Sequence, residues 1–105
     1  MKNIKAFNLR TNSGASAPIQ IVITYSTPTK EYRLFQSYGV LIVRNTLDKR
    51  TYKRTCELSR NYWSYSRTTA RYRNQYLGVD TKQVKKNIKN GVYCLASLNG
   101  GNRVR

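Results

Sequence analysis

The chain has 105 residues, with 20 Lys and Arg against 4 Asp and Glu, no His, and a formal net charge of +16. That length suits one domain. The 39% apolar content supplies one modest core but no run of about 18 apolar residues, so no membrane span is expected. Solubility alone asks a small domain for a net charge of roughly 2–8, so the excess points to a polyanion partner, gripped mainly through counterion release.

The charge is uneven. Residues 1–43 hold Lys2, Lys5, Arg10, Lys30 and Arg33 against Glu31, whereas residues 44–105 hold fifteen cations against Asp48, Glu57 and Asp80. An acidic lipid surface is a poor fit, because no amphipathic stretch sets a bulky apolar face against a lysine face over enough length. The N-terminal MKNIKAFNL has neither a long apolar stretch nor a small-residue cleavage site, so no signal peptide is expected. Cys56 and Cys94 sit among apolar neighbours and read as free, buried thiols. A zinc site needs about four ligands, and without His or a CxxC pair no metal or cofactor is expected.

In chain order, IKAFNL predicts a first strand over 3–9, and TNSGASAP (Thr11–Pro18) a turn-rich loop. The β-branched IQIVITY (Ile19–Tyr25) predicts a strand ended by the turn at Pro28. A short strand follows over 31–36, then a central strand at Val40–Val43, an apolar run too short for a helix. NTLDK reads as a connecting turn. RTYKRTCEL alternates, with Tyr52, Arg54, Cys56 and Leu58 on one side, and predicts a half-exposed strand in a hairpin with its predecessor. The period then changes. Ser66 can cap a helix from Arg67 to Leu77, with Gly78 as its left-handed stop. Ala70, Tyr76 and Leu77 are expected to face inward, with Arg73 or Asn74 at the margin. Asp80, with Gln83 three residues on, has the capping-box spacing for a second helix whose narrow apolar stripe is Val84 and Ile88, ended by Gly91. Val92–Ser97 predicts the last strand. Strands followed by helices indicate an α+β domain over 1–97: a mainly antiparallel sheet of about five strands, with both helices on one face. A basic, flexible tail is expected over 98–105.

The helices carry the candidate site. Arg67, Arg71 and Asn74 share one face at four- and three-residue spacing, and the two cations repel. Lys82 with Lys86 and Lys85 with Lys89 repeat the arrangement without a Glu between them. A merely solvated helix mixes signs, so the expected nucleic-acid-binding residues are Arg67, Arg71, Arg73, Lys82, Lys85, Lys86 and Lys89, with Tyr65 and Tyr72 as exposed rings. Tyrosine rings stack on unpaired bases at about 1–3 kcal/mol each, and a hydroxyl can bind phosphate. Trp63 is open to a core or a stacking role.

The segment YSRTTARYRNQYL (Tyr65–Leu77) resembles the most characteristic stretch of an uncharacterised family of short bacteriophage and mobile-element proteins. That stretch has an aromatic-Ser-basic-Thr-Thr-x-basic-His pattern, then an Asn and an aromatic-Leu pair. SYGVLIV (Ser37–Val43) is similar to the family's Ser-Tyr strand, and LRTNSGAS is an N-terminal echo. The chain departs at Tyr72, where the family usually has His. The resemblance implies a phage-type protein acting in the cytoplasm of a bacterial host, and a small α+β domain; it implies no established activity.

Enzymatic chemistry has little to work with. There is no His for acid–base work, the four acids are far apart in sequence, so a two-metal centre has no clustered carboxylates, and no Gly-rich phosphate loop opens a helix. The leading expectation is a non-enzymatic nucleic-acid-binding protein that contacts DNA or RNA backbones with low sequence specificity. The alternative is a phage inhibitor that grips a host defence or transcription ribonucleoprotein, such as a CRISPR effector or a polymerase. A metal-independent ribonuclease of the RelE type, working with Arg, Lys and Tyr, fits the size and charge, but that family begins with helices and this chain begins with strands.

Overall fold

The structure, a computed structural model, describes residues 2–10 and 16–99. Five strands, β1 (Lys2–Arg10), β2 (Ser16–Ser26), β3 (Lys30–Ser37), β4 (Val40–Asp48) and β5 (Arg54–Ser59), precede α1 (Arg67–Leu77) and α2 (Thr81–Lys89), and a short β6 (Cys94–Ala96) closes the order. The strands form one sheet in sequence order, β1-β2-β3-β4-β5-β6. All neighbours are antiparallel except β5 and β6. The exception has a cause: parallel partners need a crossover long enough to hold helices, and α1 and α2 are that crossover. The fold is therefore α+β as expected, with six strands among the described residues.

Alternation builds the core. Direct partners across the sheet run Phe7, Val22, Phe35, Val43, Leu58, Leu95, and side chains of direct partners share a face. Val22, Phe35, Val43 and Leu58 are buried with Leu9, Ile42, Val84 and Tyr93 in one cluster, each large side chain contributing about 1.5–3 kcal/mol. Opposite Phe35 and Gln36, β4 holds one residue more than β3. That bulge lets adjacent Ile42 and Val43 both be buried. Tyr72, Tyr76 and Leu77 of α1 and Val84 and Ile88 of α2 pack on this cluster, so both helices cover the same face. The Tyr76 ring stacks on Phe35 at 5.4 Å, and the buried Ser37 and Thr69 hydroxyls bond at 2.9 Å. The β3–β4 turn, Tyr38–Gly39, has φ of 52° and 80°, the positive pair that two-residue hairpins favour.

The helix ends follow their caps. Ser66 accepts from the Thr69 amide at 3.0 Å, and Gly78 at φ 77° donates to the Asn74 carbonyl. Asp80 accepts from the Gln83 amide at 2.8 Å, but the Gln83 side chain bonds Asn87 and not the cap.

Several expectations are corrected. NTLDK is not a turn: β4 runs to Asp48 because β3 and β5 hydrogen-bond it on both sides, and the turn falls at residues 49–52. Tyr52 lies in that turn, outside β5 and 77% exposed. β2 begins at Ser16, inside the expected loop, while residues 11–15 of that loop lie outside the described residues. β6 is only Cys94–Ala96, and Val92 is exposed. Packing also continues past residue 97. Leu98 is buried, and the Asn99 amide accepts from the Leu41 N–H at 2.9 Å and donates to its carbonyl at 3.0 Å, standing in for a neighbouring strand beyond the end of β5. Residues 100–105 of the expected tail lie outside the described residues.

Both thiols are free, but only Cys56 is shielded; Cys94 is exposed. Burial pushes the Cys56 pKa up to about 11, against a bond from Asn45. At pH 8 only about a thousandth of Cys56 is then thiolate. A disulfide reagent should therefore modify one thiol promptly in the native protein and the second only on unfolding. Cys94→Ser should abolish the fast phase; two equally fast thiols would contradict this assignment.

Candidate nucleic-acid interface

The helix backbone decides which way each candidate points. In α1 the buried residues are Thr69 and Arg73. At about 100° per residue, Arg67 and Arg71 lie opposite that pair, and both are exposed. In α2 the buried residue is Val84. Lys82, Lys85, Lys86 and Lys89 fall within roughly 100° of arc on the other side, and all four are exposed. Each like-charge i,i+4 pair costs α2 about 0.2–0.5 kcal/mol. Lys86 and Lys89 recover part of this at the negative end of the helix. Arg67 has no such offset: it sits in the first turn of α1, which holds no acid.

No acid elsewhere neutralises this surface. Among the described residues the ion pairs are Lys30–Asp48 at 3.9 Å and Arg44–Glu57 at 2.7 Å. The one acid next to α2, Asp80, is held by its capping bond.

Arg73 is a correction. It is fully buried, and its guanidinium is consumed within the fold. Nη1 donates to the Trp63 carbonyl, Nη2 to Asn74 Oδ1 at 2.8 Å and Thr81 Oγ1 at 3.3 Å, and Nε to Asn74 Oδ1 at 3.2 Å. Its carbon lies 5.4 Å from the Trp63 ring centroid. Burial lowers its pKa, against the influence of Tyr93, yet arginine stays protonated at physiological pH. Four of its five N–H donors are used inside the fold, and burial closes the fifth to a phosphate. Asn74 is likewise turned toward α2, donating to Thr81 Oγ1 at 2.9 Å, and so leaves the face expected for it beside Arg67 and Arg71.

The rings divide. Trp63 is half-buried against the core under Arg73. Tyr72, expected to be exposed, also packs on the core, and Arg71 lies over its ring at 5.0 Å, so one ring face is occupied. Tyr65 is 45% exposed, with its ring edge-on to Tyr62 at 5.3 Å. Tyr76 is a bridge between layers: its hydroxyl donates to Asn45 Oδ1 and reaches the Arg33 carbonyl at 3.3 Å. Burial pushes that hydroxyl well above its ordinary pKa, so it remains a donor. Sequence reasoning passed over a second set of cations, Lys5, Arg33 and Arg54, which strand pairing brings to the helix-bearing face beyond α1. Their signal is period-two alternation, readable only once the register is known.

Because Arg73 joins the loop before α1, α1 itself and the start of α2, Arg73→Ala should destabilise the protein by about 3 kcal/mol through orphaned buried partners. Arg73→Lys, lacking the fork, should recover less than half of that in urea titrations. A neutral effect of Arg73→Ala would show that these bonds do not hold the helices together. No family model, no curated protein and no solved structure matches this chain.

Proposed function

We propose that the protein is a small, non-enzymatic nucleic-acid-binding protein of phage type that acts in the bacterial cytoplasm and grips phosphate backbones with low sequence specificity. The observation that carries this reading is the single-signed outer surface of α1 and α2, with six exposed cations, Arg67, Arg71, Lys82, Lys85, Lys86 and Lys89, and no ion pair to any of them among the described residues. Such a surface is strained when bare and relieved when a polyanion lies on it. The Arg71–Tyr72 pair and the exposed Tyr65 ring add polar and stacking contacts. The likeness of Tyr65–Leu77 to a phage family supports the origin. Base-edge readout has little support here, since lysine-rich contacts position a duplex without reading it.

Replacing Lys82, Lys85, Lys86 and Lys89 together by Gln separates binding from folding. Affinity for DNA or RNA at low salt should drop at least tenfold, and the slope of log K against log salt should flatten by up to about 0.9 per lost duplex contact. Stability should hold or rise by a few tenths of a kcal/mol, because the i,i+4 repulsions vanish. Anisotropy titrations at several salt concentrations and urea unfolding measure the two. Wild-type protein that binds neither single- nor double-stranded DNA or RNA at low salt would end this reading.

A further inference from the structure

The sheet is wider than the helical layer above it. On the helix-bearing face, direct partners run Lys5, Thr24, Arg33, Asn45, Cys56, and the next row toward the β4–β5 turn runs Ser26, Glu31, Leu47, Arg54. Their side is fixed by Tyr76, whose hydroxyl bonds Asn45 and whose ring carries Arg33 at 5.6 Å. All of these except Cys56, together with the intervening Tyr25, Tyr32, Thr46 and Thr55, line a hollow of about 620 Å³. Cations from three separate strands, Lys5 on β1, Arg33 on β3 and Arg54 on β5, converge there against the single acid Glu31. Arg33 and Arg54 are exposed, and none of the three has an ion pair among the described residues.

We propose that this hollow is a second nucleic-acid site, taking one or two nucleotides of an unpaired strand, with Lys5, Arg33 and Arg54 on the phosphates. The proposal rests on the nucleic-acid reading above and adds the strandedness and the place. A hollow of this volume suits a ligand of nucleotide size. A duplex, whose bases are stacked inside it, offers such a concavity only its backbone, whereas an unpaired strand can place a base within. The Arg33 guanidinium, backed by the Tyr76 ring, is a platform of the kind on which splayed bases stack. Asn45 and Glu31 face a base's donors and acceptors across the same floor. Just past Arg54, the β4–β5 turn holds Tyr52 77% exposed on a backbone fixed by Asp48, which accepts from the Arg50 and Thr51 amides at 2.9 and 3.3 Å. A second base leaving the hollow meets that ring.

The test compares a labelled unpaired hexanucleotide with a hairpin duplex by anisotropy. For the Arg33→Gln/Arg54→Gln double variant, affinity for the unpaired strand should fall about tenfold, and its salt slope by about 1.4, at ~0.7 per lost single-strand contact. Duplex affinity should change less than threefold. Lys5→Gln, on an edge strand away from Tyr76, should give a smaller loss with the same preference and guards against misfolding of the double variant. The four-lysine α2 variant should weaken both ligands. Unchanged binding of the unpaired strand by the double variant and Lys5→Gln, or equal losses on both ligands, would overturn the hollow as a single-strand site while leaving the helix surface standing. Wild-type protein that binds neither ligand would overturn both.

Discussion

The buried guanidinium of Arg73 is the constraint around which the helical layer is arranged. A charge taken out of water is tolerable only when its hydrogen-bonding capacity is met, and here the partners come from three chain segments: the Trp63 carbonyl, Asn74 and Thr81. Those bonds fix the rotation of α1 about its axis. Once Thr69 and Arg73 face inward, helical spacing leaves Arg67 and Arg71 facing outward. The bond to Thr81 also sets where α2 begins, and Val84, three residues on, then drops into the core. The outer face of α2 follows, with its four lysines. The solvent-facing charge of both helices is thus a geometric consequence of one internal cation.

The same economy governs the acids. Asp48 caps the β4–β5 turn, and its pKa is lowered first by the Arg50 and Thr51 amides and then by Lys30. Glu57 pairs with its direct cross-strand partner Arg44 on the face that carries no helix. Asp80 caps α2. Each is committed to local structure, so three of the four acids are withheld from the helix surface, and Glu31 sits on the sheet floor. The net charge of +16 is therefore presented unevenly: the neutralised cations, Lys30 and Arg44, lie at the turn end and on the helix-free face, and the unpaired ones lie over the helices, in the hollow, and, as Lys49, Arg50, Lys53 and Arg60, around the β4–β5 turn and just past β5.

How much of this was legible in the sequence depends on whether the cause was local. The ends of α1 were readable because Ser66 and Gly78 fix them within a turn, and Asp80 did the same for α2. The β4 extension was not: Asn45 and Asp48 are turn-formers by composition, and what keeps them in a strand is pairing from both sides together with the Tyr76 hydroxyl, 31 residues away. Arg73 could be placed at the margin of α1 but not inside it, because its acceptors include a backbone carbonyl and a side chain of the next helix. The parallel β6 depends on where the crossover returns the chain, which no local pattern encodes. For the candidate site, the exposed lysines and Arg67 and Arg71 were readable from helical spacing alone, whereas Lys5, Arg33 and Arg54 needed the register of four strands.

The two basic regions share one side of the sheet. Tyr76 is the point where they meet: its ring stacks on Phe35 beneath α1, its hydroxyl holds Asn45, and Arg33 leans on it from the hollow. A phosphate chain that follows the outer face of the helices and then descends into the hollow does not have to pass around a sheet edge. On the opposite face, stacked Tyr25 and Tyr32, 4.7 Å apart, and the Arg44–Glu57 pair present rings and a neutralised cation. Counterion release rewards each phosphate laid beside an unpaired cation, so the helix-bearing side attracts a polyanion more strongly than the other. Under the proposed function this asymmetry orients the protein on its ligand without any base contact, and base stacking in the hollow is what would favour an unpaired strand over a duplex.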